Sequence, residues 1–168
     1  MLKYLWVSLV VIVIDQLSKF FVFTELPLGL PVNILPFFDL LYSHNPGVAF
    51  SWLANMGPWK WYFLVALTST LSLILLIWIS RMKPWEKVQA IGMSMILGGA
   101  IGNLIDRFLH TDTVGRREGV VDFLSFYWGE HRFPSFNVAD SAITLGVIVI
   151  FWFMLFVAEP KSTEQTAD

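Results

Sequence analysis

Residues 61–80, WYFLVALTSTLSLILLIWIS, run for 20 positions without an Asp, Glu, Lys or Arg. About 20 apolar residues, each rising roughly 1.5 Å, cross the hydrocarbon core of a bilayer, so this stretch predicts a transmembrane helix and decides the fold class. Two more uncharged runs, residues 88–105 and 141–158, are 18 residues long each. A fourth, residues 4–23, is as apolar in its first half but carries Asp15 and Lys19. Lys3 ahead of that run resembles the start of a secretory leader. The charges behind the run, and the lack of an A-x-A-like site near Phe23, favour a retained helix instead.

The expected architecture is a mainly α membrane protein forming one domain over 1–168. Its four transmembrane helices lie at about 4–23, 61–80, 88–106 and 139–158, with loops 24–60 and 107–138. Pro160 stops the last helix, and the polar tail 159–168 is expected to be disordered. In the first loop Phe38, Leu40 and Tyr42 alternate as strand residues do, next to the turn formers His44, Asn45, Pro46 and Gly47. This predicts a small β-sheet at the membrane surface. The second loop mixes charges with Phe123, Phe126, Tyr127, Trp128 and Phe133, a composition suited to the interface between water and head groups.

Composition agrees with a membrane protein: 56% of residues are hydrophobic, 14% are charged and the mean hydropathy is +0.65. A net charge of -2 with scattered cations offers no face for nucleic acid. With no cysteine, thiolate nucleophiles, disulfides and cysteine-held metals are excluded. Arg81, Lys83 and Lys87 fall in the short turn between the second and third helices, with Lys3 and Lys161 on the same side, whereas no Lys or Arg lies between Lys19 and Lys60. The positive-inside rule then puts both termini in the cytoplasm. Arg107, Arg116, Arg117 and Arg132 in the opposite loop oppose that reading.

A charge at the bilayer centre costs about 2.5–3.5 kcal/mol on insertion scales, so each one inside a span needs a reason. Asp15 and Lys19 lie roughly 16 and 22 Å into the first helix, and their spacing of four suits an ion pair. In GGAIGNLIDR, residues 98–107, Gly98 and Gly102 form a G-x-x-x-G pair that admits a neighbouring helix. Asn103 and Arg107 share one face near the outer end, with Asp106 on the adjoining strip. Their natural acceptors are carboxylates on other elements. Two are available: Asp122 in GVVDF, and Asp140 in FNVAD at the start of the fourth helix.

Two carboxyl groups held close together cannot both ionise cheaply, so one keeps a proton while the other stays charged. Such a pair can activate water and stabilise the oxyanion of a cleaving peptide bond without metal, cofactor or covalent intermediate. A serine elbow, a phosphate-cradling glycine loop and metal-ligand spacing among His44, His110 and His131 are all missing. The His residues are expected to hydrogen-bond in turns or face solvent.

With these residues in view, the chain resembles the lipoprotein signal peptidases, or signal peptidase II. The resemblance rests on five ordered motifs: DQLSK with Asp15 and Lys19, HNPGVAF at 44–50, GGAIGNLIDR at 98–107, GVVDF with Asp122, and FNVADSAI at 136–143. It implies a four-helix bacterial inner-membrane aspartic peptidase whose catalytic Asp122 and Asp140 face the extracytoplasmic side. It implies diacylglyceryl prolipoproteins as substrates, cut before the lipidated cysteine, with membrane lipids as surroundings and globomycin-like cyclic peptides as inhibitors. Asn45 and Gly47 would contact the substrate backbone, Asn103 and Arg107 would hold its carbonyls, and Asn137 and Ala139 would line the site. Asp15, Lys19, Gly98, Gly102 and Asp106 would support it. A sheet and a short mobile helix would fall within residues 24–58, and a monomer is expected. Two rivals stay open: an ion carrier using Asp15, Lys19, Asp106, Arg107 and Asp140 as a relay, and an assembly subunit held by glycine packing.

Overall fold

The structure, a computed structural model, describes residues 1–47, 57, 59–110 and 119–156. Among the described residues, four helices are long and apolar enough to cross a membrane: α1 (Leu5–Glu25), α2 (Trp59–Arg81), α3 (Lys87–Leu109) and α4 (Val138–Phe156). The chain is therefore a mainly α membrane protein. Four antiparallel strands, β1 (Pro31–Leu35), β2 (Phe38–Asn45), β3 (Val120–Trp128) and β4 (His131–Arg132), form one sheet in the order β1-β2-β3-β4. The tail 159–168, Val48 to Phe50 of the second motif, Arg116 and Arg117 lie outside the described residues, as do 48–56 and 58 of the segment 24–58 expected to hold the sheet and a short helix.

The helices are arranged inside out relative to a soluble bundle. On α1 the buried positions are Ser8, Asp15, Lys19 and Val22, a strip with spacings of seven, four and three, while Trp6, Leu9, Leu17 and Phe20 face outward. Lipid solvates the large apolar side chains, so the polar and small ones turn to the neighbouring helix. The centre of the bundle is α3, which packs against α1, α2 and α4. Gly98 backs onto α1, where an added Cβ would stand 2.8 Å from Ser8 O, and Gly92 backs onto α4 at 2.9 Å from Gly146 O. The predicted G-x-x-x-G pair does face one helix: Gly102 meets Asp15 of α1. Gly99, between them, meets Ala139 and Ile143 of α4.

One end of the bundle gathers Met1, Tyr4, Ile79, Met82 and Ala90. The sheet covers the other end, where Val22 of α1 packs with Tyr42, Val121 and Phe123. Sequence alternation places strands in the first long loop alone, but the longest strand, β3, comes from the second. The expected alternation of Phe38, Leu40 and Tyr42 is also broken. Leu40 pairs with Leu124 and Ser43 with Asp122, so β2 carries one extra residue, a bulge, and the buried β2 positions become Asp39 and Tyr42. Gly129, at φ 57°, turns β3 into β4 through two residues. Beside that turn Trp128 is 87% exposed, an aromatic ledge at the far end of the sheet.

Candidate active site

The start of α4 builds half of the site. Asn137 immediately precedes the helix, and its Oδ1 accepts the Asp140 N–H at 2.9 Å while Asp140 Oδ2 accepts the Asn137 N–H at 3.2 Å. This reciprocal capping explains FNVAD locally: the pair satisfies two amides, and an acid in the first turn suits the helix dipole. The intervening Ala139 N–H is taken by Asp15 Oδ1 of α1 at 2.9 Å.

Asp122 builds the other half from β3. It is buried beneath the sheet, and its two oxygens accept from Asn137 Nδ2 at 2.7 Å and Asn45 Nδ2 at 3.0 Å. Ser43 Oγ donates to its main-chain carbonyl at 3.0 Å, across the register that follows the β2 bulge. Burial, and then the nearby Asp140 charge, push the Asp122 carboxyl up to about 7, against the two amide hydrogen bonds and the more distant Lys19 charge. Asp122 and Asp140 thus share Asn137 and interact electrostatically.

α3 supplies the floor. Asn103 Nδ2 donates to Asp140 Oδ1 at 2.8 Å, and its Oδ1 accepts from Lys19 Nζ at 3.0 Å and Asn137 Nδ2 at 3.1 Å. Arg107 donates to its own helix at Asn103 O, 2.9 Å, and to Gly47 O at 3.4 Å, while its charge is felt by Asp140, Asp106 and Asp122. Asn45 also accepts the Gly47 N–H at 3.1 Å, so the N-P-G turn is tied to the same cluster. Beneath lies a fully buried group: Lys19 Nζ is 2.8 Å from Asp15 Oδ2 and 2.9 Å from Asp106 Oδ2. The spacing of Asp15 and Lys19 suggested a pair within one helix; the third member, Asp106, comes from α3.

The structure therefore gathers Asp122, Asp140, Asn45, Gly47, Asn103, Arg107, Asn137, Ala139, Asp15, Lys19, Asp106 and Gly102 at one end of the bundle. Gly98 stands one turn away, against Ser8. Among the described residues no group of three or more His, Cys, Asp or Glu side chains could hold a metal. Two carboxyl groups, one with a raised proton affinity, surrounded by amide and guanidinium donors, can manage a proton and hold carbonyl oxygens.

A profile of the Signal peptidase (SPase) II family matches residues 7–156. The chain belongs to the signal peptidase II family. Proteins named lipoprotein signal peptidase are similar along nearly its whole length. That of Alteromonas mediterranea is 36% identical over 99% of this chain and 88% of its own. That of Coxiella burnetii is 40% identical over 94% of this chain and 93% of its own, and that of Acinetobacter baumannii 41% identical over 97% and 90%. A solved bacterial membrane enzyme superposes with a TM-score of 0.77 at 26% identity, covering 99% of this chain and 93% of its own.

This member of the signal peptidase II family also holds site residues that motif reading passed over. Gln16 Nε2 lies 3.0 Å from Asp106 Oδ1 and 3.2 Å from both Gly102 O and Asp15 Oδ2. An uncharged amide inside an apolar span was the available signal, because lipid offers it no partner. Trp61 Nε1 donates to Arg107 O at 2.8 Å, closing the end of α3. His44 is not in the turn itself: it lies in β2, one residue before the strand's last, where Nε2 meets Tyr42 Oη at 2.8 Å, and its ring lies 5.5 Å from that of His110. At the β4 edge of this signal peptidase II sheet, Arg132 bridges Asp39 Oδ2 at 2.8 Å and Ser125 Oγ at 2.7 Å.

Proposed function

We propose that the protein is a membrane aspartic endopeptidase that removes the signal peptide from diacylglyceryl-modified prolipoproteins by cutting before the lipidated cysteine. The peptidase family and the four apolar helices support removal of signal peptides from lipoproteins in a bacterial membrane. The observation that carries the finer reading is the joint seating of Asp122 and Asp140 on Asn137, with the Asp122 carboxyl pushed up to about 7.

In this mechanism the pair carries one proton. The charged carboxylate takes a proton from a water held between the two groups as the water oxygen adds to the scissile carbonyl carbon. The protonated partner hydrogen-bonds the carbonyl oxygen and stabilises the tetrahedral oxyanion, aided by the Arg107 charge. Collapse breaks the C–N bond, and the proton taken from water passes to the departing amine of the lipidated cysteine. The pair titrates as a unit, so the proton belongs to the dyad. Asn45, Gly47, Asn103, Arg107, Asn137 and Ala139 surround the path of the substrate backbone, and the acyl chains of the cysteine stay in the leaflet, keeping the scissile bond at the depth of the site.

Both termini face the cytoplasm and the sheet faces outward in this reading, as the Arg81, Lys83 and Lys87 turn supports. The protein acts as a monomer, and globomycin-like cyclic peptides occupy the same site. The test is cleavage of a purified diacylglyceryl prolipoprotein in detergent. Wild type is expected to cut with or without a chelator, and folded Asp122→Asn and Asp140→Asn to be inactive. Normal cutting by either folded variant would sink the dyad. Single cysteines introduced at 128 and 84 are expected to react from outside and inside, respectively; the reverse pattern overturns the orientation.

A further inference from the structure

The end of the bundle away from the sheet carries a groove that peptide cleavage does not use. It encloses about 510 Å³ where α2 runs into the turn before α3, within the range of about 300–1,000 Å³ that small-molecule sites occupy. Its lower part is apolar, formed by Ile74, Ile77 and Trp78, with Met82 buried behind them. Ile74 and Trp78 are four apart on α2, as are Ile77 and Arg81, so one exposed strip leads from aliphatic side chains to a guanidinium at the helix end.

The rim is Arg81, Lys83 and Glu86. Three cations, Arg81, Lys83 and Lys87, stand in this turn against a single acid. Glu86 Oε2 accepts the Lys83 main-chain N–H at 2.6 Å, and the Glu86 N–H donates to Lys83 O at 3.0 Å. The acid therefore closes the turn, and among the described residues none of the three cations forms an ion pair. Lys83 Nζ lies 5.1 Å from the centre of the Trp85 ring, a contact that leaves its hydrogens free to donate. Trp78 and Trp85 are both exposed, as indoles at the level of lipid head groups are.

We propose that this groove binds one anionic phospholipid, with its phosphate between Arg81 and Lys83 and an acyl chain along Ile74, Ile77 and Trp78. Unpaired cations above an apolar strip match a headgroup above its chain, and Arg81 presents a fork of donors suited to phosphate oxygens. A free phosphate would leave the strip unused. A zwitterionic headgroup brings an ammonium that the cations repel. In the orientation proposed above the lipid belongs to the cytoplasmic leaflet. Lys87 at the start of α3 and Asn103 beneath the carboxyl pair are roughly 24 Å apart at about 1.5 Å per residue, so binding is separate from turnover.

The experiment is native mass spectrometry of the full chain in detergent, titrated with phosphatidylglycerol or phosphatidylcholine, and with inorganic phosphate as a competitor. Wild type is expected to retain one phosphatidylglycerol at concentrations where phosphatidylcholine is lost, and inorganic phosphate is expected not to displace it. Arg81→Gln and Lys83→Gln should each weaken retention about fivefold. Ile77→Ser, which leaves every charge in place, should weaken it too. Lys3→Gln removes a cation that does not line the groove and should change retention less than about twofold. Equal retention of the two lipids overturns the proposal. So does an equal loss in Lys3→Gln, which would mark general attraction to surface charge, or displacement by inorganic phosphate, which would mark a phosphate site. Thermal unfolding checks each variant, and if one does not fold, the comparison of the two lipids on wild type decides. Because no arm needs cleavage or a defined orientation, failure of either earlier reading leaves this test intact.

Discussion

Asn137 and Asp140 hold each other's main chain, with Oδ1 of Asn137 2.9 Å from the Asp140 nitrogen and Oδ2 of Asp140 3.2 Å from the Asn137 nitrogen. The same Asn137 side chain donates to Asp122 at 2.7 Å, so a helix cap doubles as the link between the two carboxyl groups. Asn137→Ala removes the cap and strips Asp122 of a donor. We expect a loss of about 1–2 kcal/mol in stability by thermal unfolding in detergent. We also expect a fall in kcat/KM of about ten- to a hundredfold. A normal rate in the folded variant would detach the cap from the chemistry.

The proton shared by the proposed dyad is expected to set an upper pH limit. Its carboxyl is raised to about 7, chiefly by burial and then by Asp140, so cleavage is expected to decline as pH rises through about 7 and the pair becomes doubly charged. The linked stability has the same sign. A raised carboxyl contributes fully below its ordinary value of 3.8 and loses that contribution as pH climbs through about 7. Unfolding temperatures of wild type and Asp122→Asn measured between pH 4 and 9 check this: the wild-type curve should fall relative to the variant.

Asp39 behaves in the opposite way. The Asn33 amide, and then Arg132, hold its carboxyl below the usual range. Its contribution is present above 3.8 and is lost as pH falls through the lowered value. Arg132→Gln should therefore lower the unfolding temperature at pH 7, and the gap to wild type should narrow in acid. A gap that does not depend on pH would assign the effect to the lost contact between Arg132 and the Tyr127 ring, 4.9 Å from its centre.

Gly98 is a packing requirement with a measurable cost. A Cβ there would stand 2.8 Å from Ser8 O and 2.9 Å from Ser8 Cα, main-chain atoms that cannot swing away. Gly98→Ala should cost about 1–3 kcal/mol by unfolding in detergent. At Gly57 the nearest atom among the described residues would be Trp59 Cδ1 at 3.8 Å, an ordinary contact, so Gly57→Ala should cost less than Gly98→Ala.

Sequence by itself determined the membrane class, because long charge-free runs have no other stable home than lipid. It also singled out the residues that the site collects, because each buried ion or amide in an apolar span demands a partner. Asp15, Lys19, Asn103 and Asp106 stood out for that reason. Partnership was a matter for the tertiary structure. Spacing along one helix paired Lys19 with Asp15, but α3 crosses α1 at Gly98 and Gly102, and only that close approach brings Asp106 and Asn103 to the same ammonium. Period-two reasoning found β2 yet missed its bulge, since an extra residue is visible only against the partner strand. GVVDF read as a loop for a related reason. Val120 to Phe123 are four consecutive buried residues, which erases the alternation that marks a strand. The joining of Asp122 on β3 to Asp140 in the first turn of α4 through Asn137 is written in distances between elements, and those exist only once the chain has folded.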